Sequence, residues 1–204
     1  MQNLVAEFRS LIFEFHYGQL TEIISGLSQI SNRCESLIKG LSELEICLDN
    51  YLFHYYPNIT QQNDIIQNSC FLIYNGAKLA NGEIIHATNS YYNSSYFSNV
   101  TVDLEECEID NYVTDDGDCY AQILLLLQTK FKLYDQIEVV DLALIQWYDF
   151  KFINNSKRHY LYDCPLLEKI EMYHLIPLES IKEECHIIPR FNKKNEYLVN
   201  KFLF

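Results

Sequence analysis

The sequence predicts an α+β protein: a helical N-terminal segment followed by a mostly antiparallel β domain. Two observations predict it. Between residues 20 and 48 the apolar side chains recur every seven positions, and beyond residue 68 they fall in short β-type runs separated by polar turns. A third bounds both. At 204 residues and 49% hydrophobic content the chain is long and apolar enough to bury a core, with no sign of disorder.

The elements follow in order. Leu4, Val5, Phe8, Leu11, Ile12 and Phe15 stand at helical spacing. From residue 20, Leu20, Leu27, Cys34, Leu41 and Leu48 form one row at a strict period of seven, and Ile23, Ile30, Leu37 and Leu44 form a second, three residues on. These are the a and d positions of a coiled coil. Two structures satisfy them: one long amphipathic helix packed on its own domain, or homo-oligomerisation through residues 20–51. Gly26 and Gly40 sit beside the rows and each weakens the helix by up to ~1 kcal/mol. "YLFHYYP", 51–57, ends the helical part, so 1–57 forms one unit and "NITQQND" reads as linker. The second unit spans 68–204, with strands at about 69–75, 83–87, 97–102, 119–128, 139–149, 184–190 and 196–203.

Charge and cysteine usage narrow the function. The net charge is −13; residues 1–118 carry 4 basic and 17 acidic side chains, whereas 119–204 carry 11 of each. Eight acids lie in "DLEECEIDNYVTDDGD", 103–118, a solvated loop without calcium-loop spacing. A phosphate backbone needs a basic face, so the expected partner is a protein or basic peptide rather than nucleic acid. Seven dispersed cysteines, with no CxxC, suit thiols used as small hydrophobes in a reducing nuclear or cytoplasmic compartment. Glu7, Arg9 and Glu14 interrupt the apolar start, so no signal peptide is expected there, and no apolar run approaches the roughly 20 residues a membrane helix needs. The glycosylation triplets at Asn58, Asn93, Asn99 and Asn154 have no meaning without secretion.

Catalytic and cofactor motifs are missing from the sequence. There is no G-x-S-x-G, P-loop or H-E-x-x-H, His86, His159 and His174 stand singly, and the acids of 103–118 share one loop. No enzyme, cofactor or metal is expected.

The stretch that stands apart is "DLALIQWYDF", 141–150, which holds the only tryptophan. Both of its alternating rows are apolar in the middle and gain a polar residue at the end, so Trp147 lies where a buried strand emerges. Four motifs occur in order. Tyr120, Ala121 and Ile123 lie on one strand, and Ile145, Gln146, Trp147 and Tyr148 on the next. Pro177, Leu178, Ser180, Ile181, Cys185 and Ile187 follow, and then Tyr197, Asn200, Phe202 and Phe204. In this order residues 118–204 resemble a bromo-adjacent homology (BAH) domain, a β-barrel-based module of chromatin proteins. The same block, with "YDCPLLEKIEMYHLIPLES", also resembles transposon-derived proteins of fungal genomes. The resemblance implies a barrel-like domain and non-catalytic binding of a protein, such as a histone-tail peptide. In members that read methyl-lysine it implies an aromatic cage including Tyr120 and Trp147; a further cage position falls on Asp149, a departure from the pattern. With Tyr148 these form the candidate aromatic groove, in which Trp147 closes the barrel and turns its outer edge to a groove shared with Tyr120. The rival readings are an accessory or truncated fragment of a transposase-like protein and a structural helical oligomer.

Overall fold

A computed structural model describes residues 7–30, 35–58, 62–92, 94–103, 114, 117–133, 136–152 and 156–200. Three helices, α1 (Leu20–Ile30), α2 (Glu35–Tyr55) and α3 (Gln62–Gln67), pack on antiparallel sheets. The architecture is mixed helix and strand, as the sequence predicts. Cys34, most of the 103–118 acidic run, Asn93, Asn154, Phe202 and Phe204 lie outside the described residues.

The frame is one long hairpin. β8 (Cys119–Leu133) and β9 (Gln136–Phe150) pair along their whole lengths. Their centres are buried on both faces, which is why "AQILLLLQ" and "LALIQW" read as near-continuous apolar runs. On the free edge of β8, β7 (Asn99–Val102) pairs its first part and β3 (Cys70–Tyr74) its later part. β2 (Leu11–His16) extends the sheet beyond β3, and β11 (Ile181–Cys185) beyond β7. On the other side, β10 (Leu166–Pro177) pairs β9, followed by β13 (Tyr197–Val199) and β12 (Ile187–Pro189). A smaller sheet holds β1 (Glu7–Phe8), β4 (Gly76–Lys78), β5 (Ile84–Tyr91) and β6 (Ser94–Phe97). Among the described strands the path stays open, and the barrel closure expected from the resemblance is not found.

The N-terminal stretch corrects the helical expectation for residues 4–15. The described part, from Glu7, forms β1 and β2, with Phe15 2% exposed and its ring tilted against that of Phe71 of β3 at 5.2 Å. "LIFEFH" satisfies a period of two as well as it satisfies 3.6, and pairing with β3 decides between them.

The heptad rows fall on two described helices, α1 and α2. Leu37, Leu41, Leu44 and Leu48 are 6%, 0%, 1% and 0% exposed, and they bury against Phe71, Leu124, Leu125, Leu142 and Leu144. Each such burial is worth about 1.5–3 kcal/mol. Of the rows read as a self-association surface through 20–51, the α2 part is therefore occupied by the chain's own sheet, and Ile23 and Leu27 of α1 are partly buried against the same cluster. Gly40 permits the close approach: a Cβ there would lie 2.7 Å from Leu125 Cγ and 3.2 Å from Leu124 Cβ. This core joins residues on both sides of the predicted 1–57 and 68–204 boundary, so the helices and the β region share one interior.

Candidate functional site

The pairing of β8 with β9 decides where the predicted groove residues go. Tyr120 stands opposite Tyr148, and Ala121 opposite Trp147. Directly paired residues share a face and successive residues alternate, so Tyr120 and Tyr148 lie on one side of the sheet and Trp147 on the other. The clusters agree. Tyr120 and Tyr148 are buried with Phe150 and Leu167, whereas Trp147 is buried with Val100, Val102, Ala121 and Ile145. The expected groove, with Tyr120 and Trp147 as neighbouring walls, is thus corrected: a sheet separates them.

The tyrosine face already has its own cation. Lys169 Nζ sits 5.1 Å from the Tyr148 ring and 5.7 Å from the Tyr197 ring, and donates to Gln122 Oε1 at 2.7 Å. Tyr148 donates its hydroxyl to Asn99 Oδ1 at 3.0 Å, and burial raises its pKa. Tyr120 is 2% exposed, so an external side chain does not reach it. Asp149 is exposed, and its carboxylate accepts from the Phe150 backbone N–H at 2.7 Å.

Trp147 has a different role. It is 5% exposed, and its Nε1–H donates to His174 Nδ1 at 3.0 Å. A β-bulge sets up this pair. Lys169 stands opposite Tyr148 and Tyr173 opposite Gln146, so Ile170, Glu171 and Met172 together face Trp147. Buried Gln146 secures the bulge by donating Nε2–H to Ile170 O at 2.8 Å. Beyond it His174 pairs with Ile145, on the tryptophan's face.

Trp147 and His174 line a cavity of about 280 Å³ between the C-terminal half of α2 and β10. Asn50, Tyr51, Phe53 and His54 line it from the helix, Leu175 and Ile176 from β10, and Asp103 and Ser180 from the connecting segments. The helix presents these residues because its other stripe, Leu41 to Leu52, is anchored in the core. Burial, reinforced by Glu43, pushes the Cys47 thiol in the wall up to about 12, so it stays protonated and poorly nucleophilic. Burial also raises Tyr51, with Tyr56, Tyr55 and Glu179 adding to it. Among the described residues no group of three or more His, Cys, Asp or Glu is placed to hold a metal ion. The arrangement is suited to holding a side chain: an apolar floor, aromatic edges, and a carboxylate at Asp103.

No protein-family model, curated protein or solved structure matches this chain. The site rests on its own geometry. Sequence reasoning pointed to Trp147 but missed its partners, His174 and the α2 residues. Helical spacing marks Asn50 and His54 as one turn apart on α2, but nothing in the sequence sets that turn over Trp147.

No described helix is long and apolar enough to cross a membrane.

Proposed function

We propose that the protein is a non-catalytic binding module that takes a basic segment of a partner protein, seating one cationic side chain in the Trp147–His174 cavity. The observation that carries this reading is the cavity itself: an aromatic-edged recess with Asp103 in its lining, in a chain of net charge −13. Aromatic faces attract a desolvated cation by up to ~2 kcal/mol, and the surrounding negative field speeds the encounter. The volume suits one long side chain rather than a large cofactor. The resemblance of residues 118–204 to BAH modules agrees with binding rather than catalysis, and makes a histone tail the natural first probe.

The test is a titration of the full chain with synthetic peptides from the tails of core histones, unmodified and lysine-methylated. Micromolar binding is expected. Asp103→Lys, and Asn50→Phe at the cavity wall, each weaken it at least about tenfold with an unchanged thermal midpoint, because both positions are exposed. Failure of every peptide to bind, or equal binding by both variants, overturns the reading.

A further inference from the structure

Among the described residues, the first part of β9 is paired by a strand on one side only. β8 pairs β9 from Gln136 to Phe150, but β10 pairs it only from Leu142 to Phe150, ending at Pro177. Residues 136–141, "QIEVVD", therefore have a strand on one side only among the described residues. Backbone N–H and C=O groups on such an edge are a template for another strand, and natural edges are commonly blunted with proline, lysine or a bulge. This one has none of these: its pairing with β8 is regular from Gln136 to Leu144, and Ile137 and Val139 are 73% and 51% exposed.

From this unblunted edge we propose that residues 136–141 of β9 are a docking site for an extended, basic segment of a partner protein, added to the sheet as a further strand in line with β10. The occupant follows from the side chains. One face of the edge presents Ile137 and Val139, and the other presents Glu138 between Gln136 and Val140. A strand alternating apolar and cationic residues meets apolar with apolar and lysine with Glu138. Charge disfavours a second copy of this chain, since each copy brings −13. The inference deepens the basic-partner reading and rests on it.

The experiment adds a short peptide of alternating lysine and valine to the full chain and follows amide hydrogen exchange and affinity. Expected are slowed exchange at residues 136–141, loss of binding when alternate peptide amides are N-methylated, and at least tenfold weaker binding by the Ile137→Lys/Val139→Lys variant at unchanged thermal midpoint. Both substitutions are at exposed positions, so folding is preserved. Binding that ignores N-methylation, or protection confined to Asn50–Tyr55 and His174–Ile176, overturns the edge and leaves the cavity reading standing. Histone-tail binding without any binding of the alternating peptide does the same. Concentration-dependent self-association abolished by the variant overturns it in favour of a second copy.

Discussion

Lys169 shows how one residue can displace an expected ligand. Its ammonium lies over Tyr148 and Tyr197 with no carboxylate in ion-pair contact among the described residues. Burial is the main reason its pKa falls to about 8, and Lys39 adds to the fall. The folded protein therefore binds this proton less tightly than the unfolded chain. Stability from this group rises with pH between about 8 and 10.5, and below that window the buried charge is a standing cost. Lys169→Met keeps the packing and removes the charge. It should stabilise the protein at pH 7 by about 1 kcal/mol, a figure discounted for partial exposure. Urea denaturation at pH 7 and pH 10 measures this: the advantage of the variant should shrink at the higher pH. An advantage independent of pH would mean that packing, not charge, is responsible. Trp147 and Tyr120 teach the complementary lesson. The polar end of "LALIQWYD" suggests a strand that emerges at Trp147, but Trp147, Tyr148 and Phe150 are 5%, 7% and 5% exposed, so the strand stays buried to its end. Which residue stands opposite is not readable, because cross-strand register is set by the bulge between Ile123 and Leu125 and by turn geometry.

At the scale of elements, α2 and β8 depend on each other through Gly40. Replacing an exposed helical glycine by alanine normally stabilises by up to ~1 kcal/mol. At Gly40 the new methyl meets Leu125 Cγ at 2.7 Å, so overpacking outweighs propensity, and Gly40→Ala should destabilise by about 1–3 kcal/mol. Gly26 in α1 has nothing within 4 Å of its added Cβ, so Gly26→Ala should stabilise by about 0.5–1 kcal/mol. Chemical denaturation of the two variants tests both signs at once; the same sign for both would show that α2 does not contact β8 this closely. Strongly patterned elements were legible in advance: the leucine row of α2 and the apolar runs of β3, β8 and β9. β10 was not, because Glu168, Lys169 and Glu171 break its alternation just where it bulges. α3 overlaps the stretch that reads as linker, "NITQQND", only in its first half; six residues of "QNDIIQ" carry too short a period to mark a helix, and Ile65 and Ile66 show their role only by burial. β2 failed for the opposite reason, since its sequence fits two periods at once.

For the whole molecule, the decisive fact is that the helices and the long hairpin share one interior. The β region offers Phe71, Ile73, Leu124, Leu125, Leu127, Phe131, Leu142, Leu144 and Leu175 to a cluster whose other half comes from Phe15, Leu20 and the α2 stripe. Without residues 1–57 that face of the sheet meets water, a loss of many side-chain burials at roughly 1.5–3 kcal/mol each. Against a total stability of about 5–15 kcal/mol for a protein of this size, the fragment 68–204 cannot stay folded. The boundary suggested by the change from heptads to strands is therefore a change of element type, not of domain. Expressed alone, 68–204 should give no cooperative thermal transition and should expose apolar surface to a hydrophobic dye. Adding residues 7–58 as a separate chain should restore a cooperative transition, because the missing half of the interior returns. A fragment that melts cooperatively by itself would show that the second cluster, around Trp147 and Ile145, is a sufficient core, and that the helices are an attachment to it.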